Sequence, residues 1–580
     1  RAQNPCVFTE NGQRYRKENA YVFDFDPART LVIFDEFANN LRKDTAAGNG
    51  TSEKRQDNIK RLLNFFPVIG EDDEGQMVEL DAKEILSIPR KLKCQEVVRR
   101  GFMSNFLFQN ISNIFGAPGV VQDILEKLTP AHEEINKKGN GTLDGIKDVS
   151  VDKDGNAEVS NEIVIGKTQD LFGDKIYEDL GKSIQPAVNL IQPGSQVCTD
   201  IDRAADVMKK VLKVKIIAPA AESSDLKKAQ TNRLESEMNK EVDHKIQTIK
   251  TDFQQQQNIA KAEHENSLKE AQSEKDAQKA NASYQSAMKT AFSAMQEDIQ
   301  METNNIIQNK PQEVVKKIEQ DKAEKQKNDT ENGIRDRLRG FSRTIPSFIM
   351  AYGDGKLSLH NFDDYTEDDV FHDVTGITEN EFRFLRDGGD YSDPDSGEKK
   401  HFDGHLFDEV VFNDSVNEFW NKKQQLANYF DETNDEDIFD YIPPQKTNQI
   451  FTPKAVVKKM VDELEENNPG IFGDPDKTFA DLYMKSGLFI TEIVKRLYQN
   501  ENMKRLFPDT KTRIRHILQK QVYGLAPTRI IYLIATHYIF GFDEELMKEK
   551  NNFRQADAAQ YAKNGTLEQL VEKEFGKDIS

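Results

Sequence analysis

The sequence predicts a multidomain protein that is rich in α-helices and contains one α/β unit. Its 580 residues exceed what one hydrophobic core usually organises, so we expect three or more structural units. Apolar residues recur at three- and four-residue spacing along much of the chain, which is typical of amphipathic helices. Residues 441–545 instead alternate short buried strands with helices, the pattern of a parallel sheet.

The negative charge of the chain is concentrated in one segment. The whole chain carries a formal net charge of -21, and residues 361–440 contain 24 acidic and six basic residues. The rest of the chain is therefore nearly neutral. A basic groove for nucleic acid elsewhere is compatible with this composition.

Cysteine usage and hydropathy predict a cytoplasmic protein. No apolar run approaches the roughly 18 residues of a membrane helix, so we expect no membrane partner. Cys6, Cys94 and Cys198 are too far apart for a zinc knuckle or a disulfide framework, and we expect no metal site. The chain starts at Arg1 without a signal-peptide pattern, so we expect a fragment of a longer protein.

The first 220 residues are predicted to form two segments. Residues 1–45 have a compact pattern, with a buried strand at residues 21–25 and a helix at residues 34–41. A polar, Gly-rich linker follows. Residues 58–220 are predicted to be helical, with an inserted β-hairpin around an Asp-Gly turn at Asp154.

Residues 221–335 are predicted to form a long helical arm. Residues 220–310 contain neither Gly nor Pro, and their apolar residues step by three or four along one stripe. A single helix, an antiparallel helical hairpin and a coiled coil that mediates oligomerisation all fit this pattern, as does a solvated spacer. The stripe comprises Leu234, Met238, Val242, Ile246, Ile249 and Phe253.

An acidic connecting domain is predicted at residues 336–440. Four arginines around Phe341 mark its start, and they fit either phosphate contacts or, more commonly, a solvated helix face. These arginines are Arg335, Arg337, Arg339 and Arg343.

Three motif-like segments lack a residue that their chemistry requires. Residues 163–168 end in Gly-Lys-Thr, but Asn161 stands where a phosphate-binding loop needs a glycine. Residues 31–36 are similar to a Walker B strand, but no Walker A loop precedes them. Residues 152–155 begin like a calcium-binding loop that lacks its bidentate Glu.

The most informative stretch begins near residue 442. Thr452 is predicted to cap a helix whose first turn contains Pro453. A buried strand at residues 478–482 contains Asp481, and a Gly-containing turn and an amphipathic helix follow it. A second strand at residues 521–525 completes a βαβ unit. Parallel sheets bind ligands at the carboxyl ends of their strands.

This stretch resembles S-adenosylmethionine-dependent DNA methyltransferases of the adenine type, which occur in restriction–modification systems. Their first motif approximates Asp-Pro-x-x-Gly-Ser-Gly-x-Phe, and an aromatic-Thr-Pro element lies upstream of it. The resemblance implies that small residues let the methionine part of the cofactor lie against the backbone, while the acid accepts a hydrogen bond from its ammonium group. The matching residues are Phe451, Thr452, Pro453, Asp481, Ser486, Gly487 and Phe489.

Several positions depart from this family. Leu482 replaces the proline, Lys485 replaces the first glycine, and residues 525–527 lack the acid that holds the ribose hydroxyls. The Lys-Ser-Gly form is similar to a branch fused to helicases. The catalytic Asn-Pro-Pro-Tyr motif, which would hold a flipped adenine, is absent from the chain, so we expect no catalytic residue here.

The other end of the chain resembles superfamily 2 helicases. Arg1 and Gln3 match the end of their last conserved motif, which implies a contact with the γ-phosphate of ATP. The combined resemblance implies the end of a second helicase lobe at residues 1–45, a helical coupler at residues 58–220, the arm, the acidic connecting domain, and the N-terminal part of a Rossmann-like methyltransferase domain at residues 441–580.

Two hypotheses of function follow. The first is a fragment of a restriction–modification enzyme that couples ATP- and Mg²⁺-dependent translocation on double-stranded DNA to adenine methylation and cleavage. The second is a non-catalytic structural or interaction protein with a vestigial methyltransferase fold and a partner-binding arm. The missing ribose acid favours the second hypothesis.

Overall fold

A computed structural model gives the structure of most of the chain. Arg1 and Gln3, the predicted strand at residues 21–25 and the predicted helix at residues 34–41 lie outside the described residues. Residues 82–576 are described apart from 117–118, 132–142, 144, 153–154, 394–395, 432–435 and 444–450, and before them 7–10, 13–16, 58, 60–61, 63, 69–71 and 76–79 are described.

The protein is mostly helical with small sheets, and it divides into two compact units. One unit comprises residues 1–148 and 329–580, and the other comprises residues 149–328. Across the described part of the chain, no helix combines the length and the apolar character that crossing a membrane requires.

The second unit is built from helices and one small hairpin. The predicted hairpin is confirmed: Ser150 pairs with Glu158 and Val151 with Ala157. The segment at residues 163–168 lies inside a helix, so it forms no phosphate-binding loop. The elements are β5 (Ser150–Val151), β6 (Ala157–Glu158), α4 (Asn161–Phe172), α5 (Ile176–Asn189), α6 (Val197–Leu212), a π-turn (Lys213–Ile217), α7 (Ala218–Ser223), α8 (Lys228–Glu270) and α9 (Glu274–Ser342), of which the residues after 328 belong to the first unit.

Helices α8 and α9 form the predicted arm as an antiparallel hairpin. The predicted stripe is confirmed, since all six of its residues are buried on α8. Near the turn, the rings of His264 and Tyr284 stack with centroids 4.6 Å apart. Farther along, the Lys310 ammonium pairs with Glu241 on α8. Buried apolar residues of α8 and α9 also form one hydrophobic cluster with those of α5 and α6.

The first unit begins with short strands and helices, and none of the strands β1 to β4 was predicted. Its elements up to residue 148 are β1 (Val7–Glu10), β2 (Gln13–Arg16), β3 (Ile69–Glu71), β4 (Met77–Glu79), α1 (Ala82–Arg99), α2 (Val120–Lys127) and α3 (Gly145–Asp148). The pairs β1–β2 and β3–β4 are antiparallel.

The acidic connecting segment folds around a cluster of phenylalanine rings. Phe341 stacks on Phe382 with centroids 5.2 Å apart and also meets Phe362 and Phe407. The interior of the segment is therefore built largely from aromatic rings. The elements are α10 (Ile345–Tyr352), α11 (Asp368–Thr375), α12 (Glu379–Asp387), β7 (Gly389–Ser392), β8 (Lys399–Phe402) and α13 (Glu409–Gln425).

The arginines around Phe341 are held within the fold, which corrects the expectation of a solvated helix face. Arg337 donates to the carbonyl oxygens of Leu125 and Leu128, each at 3.1 Å, at the end of α2. Burial lowers the pKa of both Arg337 and Arg343. Arg339 pairs with Asp336 at 3.0 Å.

The C-terminal part is the predicted α/β unit. Its sheet is parallel with the strand order β11-β10-β9, so the βαβ prediction is confirmed, and β11 is an addition to it. The elements are a 3-10 turn (Ile438–Tyr441), α14 (Lys454–Asn467), β9 (Phe479–Asp481), α15 (Leu488–Gln499), α16 (Glu501–Leu506), α17 (Thr510–His516), a π-turn (Ile517–Gln521), β10 (Val522–Ala526), α18 (Arg529–Ile539), α19 (Glu544–Met547), β11 (Phe553–Gln555), α20 (Ala558–Lys563) and α21 (Leu567–Phe575).

The expectation that Thr452 caps α14 was wrong. Pro453 occupies the N-cap position, and no side chain caps the helix, so Thr452 precedes the cap. Val457 and Val461 are buried, but Val456 and Met460 are 46% and 50% exposed. The apolar face that packs on the core is therefore narrow.

The acidic connecting segment and the α/β unit share one hydrophobic core. Tyr429 donates its hydroxyl to the Ile539 carbonyl at 3.0 Å. Lys423 is 3% exposed, and its ammonium donates to the Ile349 carbonyl at 3.1 Å. The ammonium lies 4.4 Å from the ring centroid of Trp420 and 4.3 Å from that of Phe542.

Gly340→Ala tests the tight contact between α9 and the loop after α2. A Cβ at position 340 would lie 1.7 Å from the Thr129 carbonyl oxygen, so we expect a loss of more than about 3 kcal/mol in the free energy of unfolding. Gly166→Ala is the control, because its Cβ would meet nothing within 4 Å. In α4 it should stabilise by about 0.5–1 kcal/mol. Calorimetry measures both variants, and equal effects would contradict this packing.

Lys423→Met tests the buried ammonium. Burial lowers the pKa of Lys423 from 10.5 to about 7, so folding releases a proton between these values and stability rises with pH across that window. Methionine fills the space without a charge. At pH 7 the free energy of unfolding of the variant should exceed that of the wild-type chain. This difference should shrink by more than about 1 kcal/mol by pH 9. Calorimetry at both pH values measures this, and a pH-independent difference contradicts it.

Candidate functional site

The candidate site lies where β9 ends and α15 begins. Asp481 is the last residue of β9 and is aligned with Gly524 of β10. The Tyr483 N–H donates to the Asp481 carboxylate at 3.1 Å. The Met484 N–H donates to the Leu525 carbonyl at 2.8 Å. The turn is therefore anchored to its own strand and to the neighbouring one.

The Asp481 carboxylate is half-buried. Burial raises its pKa, while the Tyr483 N–H and the Lys485 ammonium oppose this effect. A carboxylate in such a place is stabilised further by a ligand that carries a positive charge. The resemblance to methyltransferases implied such a ligand for Asp481, the ammonium group of a cofactor.

Ser486 and Gly487 shape the start of α15. The Ser486 hydroxyl accepts from the Leu488 N–H at 3.3 Å, and Ser486 is only 5% exposed. Gly487 is left-handed, with φ +84°, a conformation that favours glycine. Both residues therefore have a structural role in the turn that does not depend on a ligand.

Gly487 also allows α18 to approach the turn. A Cβ at position 487 would lie 3.0 Å from the Ile539 Cγ1 atom and 3.1 Å from the Ala535 carbonyl oxygen. The small residue of the motif is thus explained here by helix packing. This packing does not test the predicted contact with the methionine part of a cofactor.

The upstream element reaches the site through aromatic contacts. The Phe451 ring lies 5.0 Å from the Phe439 ring, which lies 4.9 Å from the Tyr538 ring on α18. Thr452 is half-buried and Pro453 is exposed. Helix α18 therefore links the aromatic-Thr-Pro element to Gly487. Phe489 packs half-buried against the same core.

The end of β10 is apolar. Leu525 and Ala526 are fully buried, and Leu525 packs in a small cluster with Leu570 of α21. The sequence indicated that no acid holds a ribose here, and the fold gives this strand end a packing role instead.

Sequence analysis missed Asp557, which follows the third strand. It accepts from the Ala559 N–H at 3.0 Å and caps α20. The sequence offered little signal, because β11 consists of Phe553, Arg554 and Gln555 without an apolar run. As the strands are parallel, Asp557 lies at the same edge of the sheet as Asp481.

An open groove of about 510 Å³ lies beside β9. Its walls are mainly apolar, and Asp481 does not line it, since alternate residues of a strand face opposite sides. Among the residues that the structure describes, no group of three or more His, Cys, Asp or Glu side chains is arranged to hold a metal ion. The groove is lined by Ala480, Leu482, Gly565, Leu567, Glu568, Val571 and Phe575.

Gly487→Ala and Gly470→Ala separate backbone strain from packing. Both glycines have φ +84° and ψ +2°, so both variants lose about 1–2 kcal/mol from the left-handed backbone. Only the Cβ at position 487 would meet other atoms within 4 Å, which should cost about 1–3 kcal/mol more. Urea unfolding followed by Trp420 fluorescence measures the difference, and equal losses would show that α18 tolerates the side chain.

Comparisons with known proteins give a distant relationship. No known family profile matches the chain, and no solved structure matches it. Over 119 residues it is 25% identical to a protein of Mycoplasma pneumoniae (strain ATCC 29342 / M129 / Subtype 1) described as an uncharacterized adenine-specific methylase. The aligned part is 20% of this chain and spans 27% of the relative's length. Part of the chain is thus distantly related to an adenine-specific methylase.

Proposed function

We propose that the chain is part of an enzyme that transfers a methyl group from S-adenosylmethionine to the amino group of adenine in DNA. The observation that carries the proposal is Asp481, a half-buried carboxylate at the carboxyl end of a parallel strand. Such strand ends are where open α/β sheets bind their ligands. The distant likeness to an adenine-specific methylase supports the same reaction.

The residues of the site fit the amino-acid end of this cofactor. Asp481 would accept a hydrogen bond from the ammonium group, and its partly unfavourable burial gives that contact its strength. The turn from Tyr483 to Gly487 would keep the Asp481 carboxylate in position for this contact, because the turn is anchored to both strands. When bound, the cofactor supplies an electrophilic methyl group.

The proposal for the larger enzyme is supported only by sequence resemblance. We infer a restriction–modification enzyme that binds double-stranded DNA and uses ATP and Mg²⁺ for translocation before cleavage. Its support is the likeness of Arg1 and Gln3 to a helicase motif, together with the order of the segments. The arginines around Phe341 already serve the fold, so DNA would be bound by other surfaces.

A non-catalytic protein with a vestigial methyltransferase fold is the second candidate. The buried apolar end of β10 favours it, because a ribose would find no carboxylate there. Cofactor binding that depends on Asp481 distinguishes the two candidates.

Asp481→Asn tests the first candidate. The amide keeps the hydrogen bond from the Tyr483 N–H but removes the charge. We expect the wild-type chain to bind S-adenosylhomocysteine and the variant to bind it at least about tenfold more weakly, since hydrogen bonds to charged groups contribute about 1.5–3 kcal/mol. Isothermal titration calorimetry measures both affinities.

Asp476→Asn is the matched control. Asp476 is an exposed carboxylate in the loop before β9, so its loss should leave the affinity unchanged. Absence of binding to the wild-type chain, or equal binding to the Asp481 variant, would contradict the proposed role.

A further inference from the structure

Lys485 shares the anchored turn with Asp481. The residues on either side of it are fixed, since Met484 is fully buried and Ser486 is 5% exposed. Lys485 itself is half-exposed, and its ammonium lies 6.0 Å from the ring centroid of Tyr483. Its backbone is therefore held in place while part of its side chain is exposed.

The lysine fits this position without backbone strain. Lys485 is not among the described non-glycine residues with positive φ, so the turn does not require the glycine that the methyltransferase family has there. A positive charge has a consequence that glycine lacks, because it places a cation four residues from an anion in one tight turn.

This pair of opposite charges matches a zwitterion. A free α-amino acid group carries one ammonium and one carboxylate, and both lose hydration when they bind. Asp481 and Lys485 lie four positions apart in one turn that is anchored to two strands, and the Lys485 ammonium favours the charged form of the Asp481 carboxylate. One small ligand can therefore contact both charged groups. Charge-assisted hydrogen bonds to each end would compensate for the lost hydration.

We propose that Asp481 and Lys485 together bind the zwitterionic end of an amino-acid ligand, with Asp481 accepting from its ammonium and Lys485 donating to its carboxylate. The inference rests on the proposed function, in which this ligand end is the methionine part of S-adenosylmethionine. It assigns Lys485 as a second binding residue at a position where the family pattern has an uncharged glycine.

Two probes distinguish a contact between Lys485 and the amino-acid end of the ligand from an effect of Lys485 on ligand binding in general. S-adenosylhomocysteine carries the zwitterionic group, and 5′-methylthioadenosine keeps the adenosine but lacks the amino acid. We expect Lys485→Gln to weaken binding of S-adenosylhomocysteine about tenfold and to leave binding of 5′-methylthioadenosine unchanged. Lys485→Arg should recover most of the lost affinity, because the guanidinium also binds carboxylates.

Lys520→Gln is the control for loss of charge. Lys520 is exposed in the π-turn before β10, so its variant should bind both probes like the wild-type chain. Trp420 fluorescence during urea unfolding checks that all variants are folded.

Each outcome of the titrations decides a different point. If the wild-type chain binds neither probe, the proposed function fails and this inference fails with it. If it binds S-adenosylhomocysteine and Lys485→Gln binds it equally well, the inference alone is overturned. Equal losses for both probes would make Lys485 a structural residue of the turn, which also overturns it.

Discussion

Helix α18 makes the packing contacts on which the candidate site depends. Its Ile539 side chain and Ala535 carbonyl approach Gly487 so closely that a Cβ there would touch both. One residue away, Tyr538 meets the ring of Phe439. The Ile539 carbonyl accepts from Tyr429 at 3.0 Å. A shift of α18 would therefore disturb the turn, the aromatic cluster and the acidic connecting segment together.

The acidic connecting segment therefore helps to hold the candidate site in position. Its helix α13 contributes Lys423, whose ammonium donates to α10, and α10 packs on α18. The His537 ring also approaches the Met350 carbonyl at 3.3 Å. Because interiors are densely packed, the position of the Asp481 turn is set in part by residues far away in the sequence. The negative charge of this segment is compatible with such a role, since its phenylalanines form the interior.

The sequence predicted the features that depend on local patterns. The stripe on α8, the hairpin of β5 and β6, and the strands β9 and β10 each leave such a pattern. The sequence could not predict β11, which is too short to carry one, nor the burial of Arg337, which depends on carbonyls some two hundred residues away. The candidate site residues were predicted from the spacing of the methyltransferase motif. The packing role of Gly487 could not be predicted, because it depends on the tertiary position of α18.

The fold itself does not need the negative charge of Asp481, and a cationic ligand best explains it. Its hydrogen bond from the Tyr483 N–H shapes the turn, and an asparagine would form the same bond without the cost of burying a carboxylate. Retaining the acid lowers stability unless a cation compensates for it. Lys485 compensates in part from a half-exposed position, which keeps both charges near the surface where a ligand would meet them. Carboxylates whose pKa is perturbed in this way concentrate at binding sites, so the turn favours a functional site over a vestigial one.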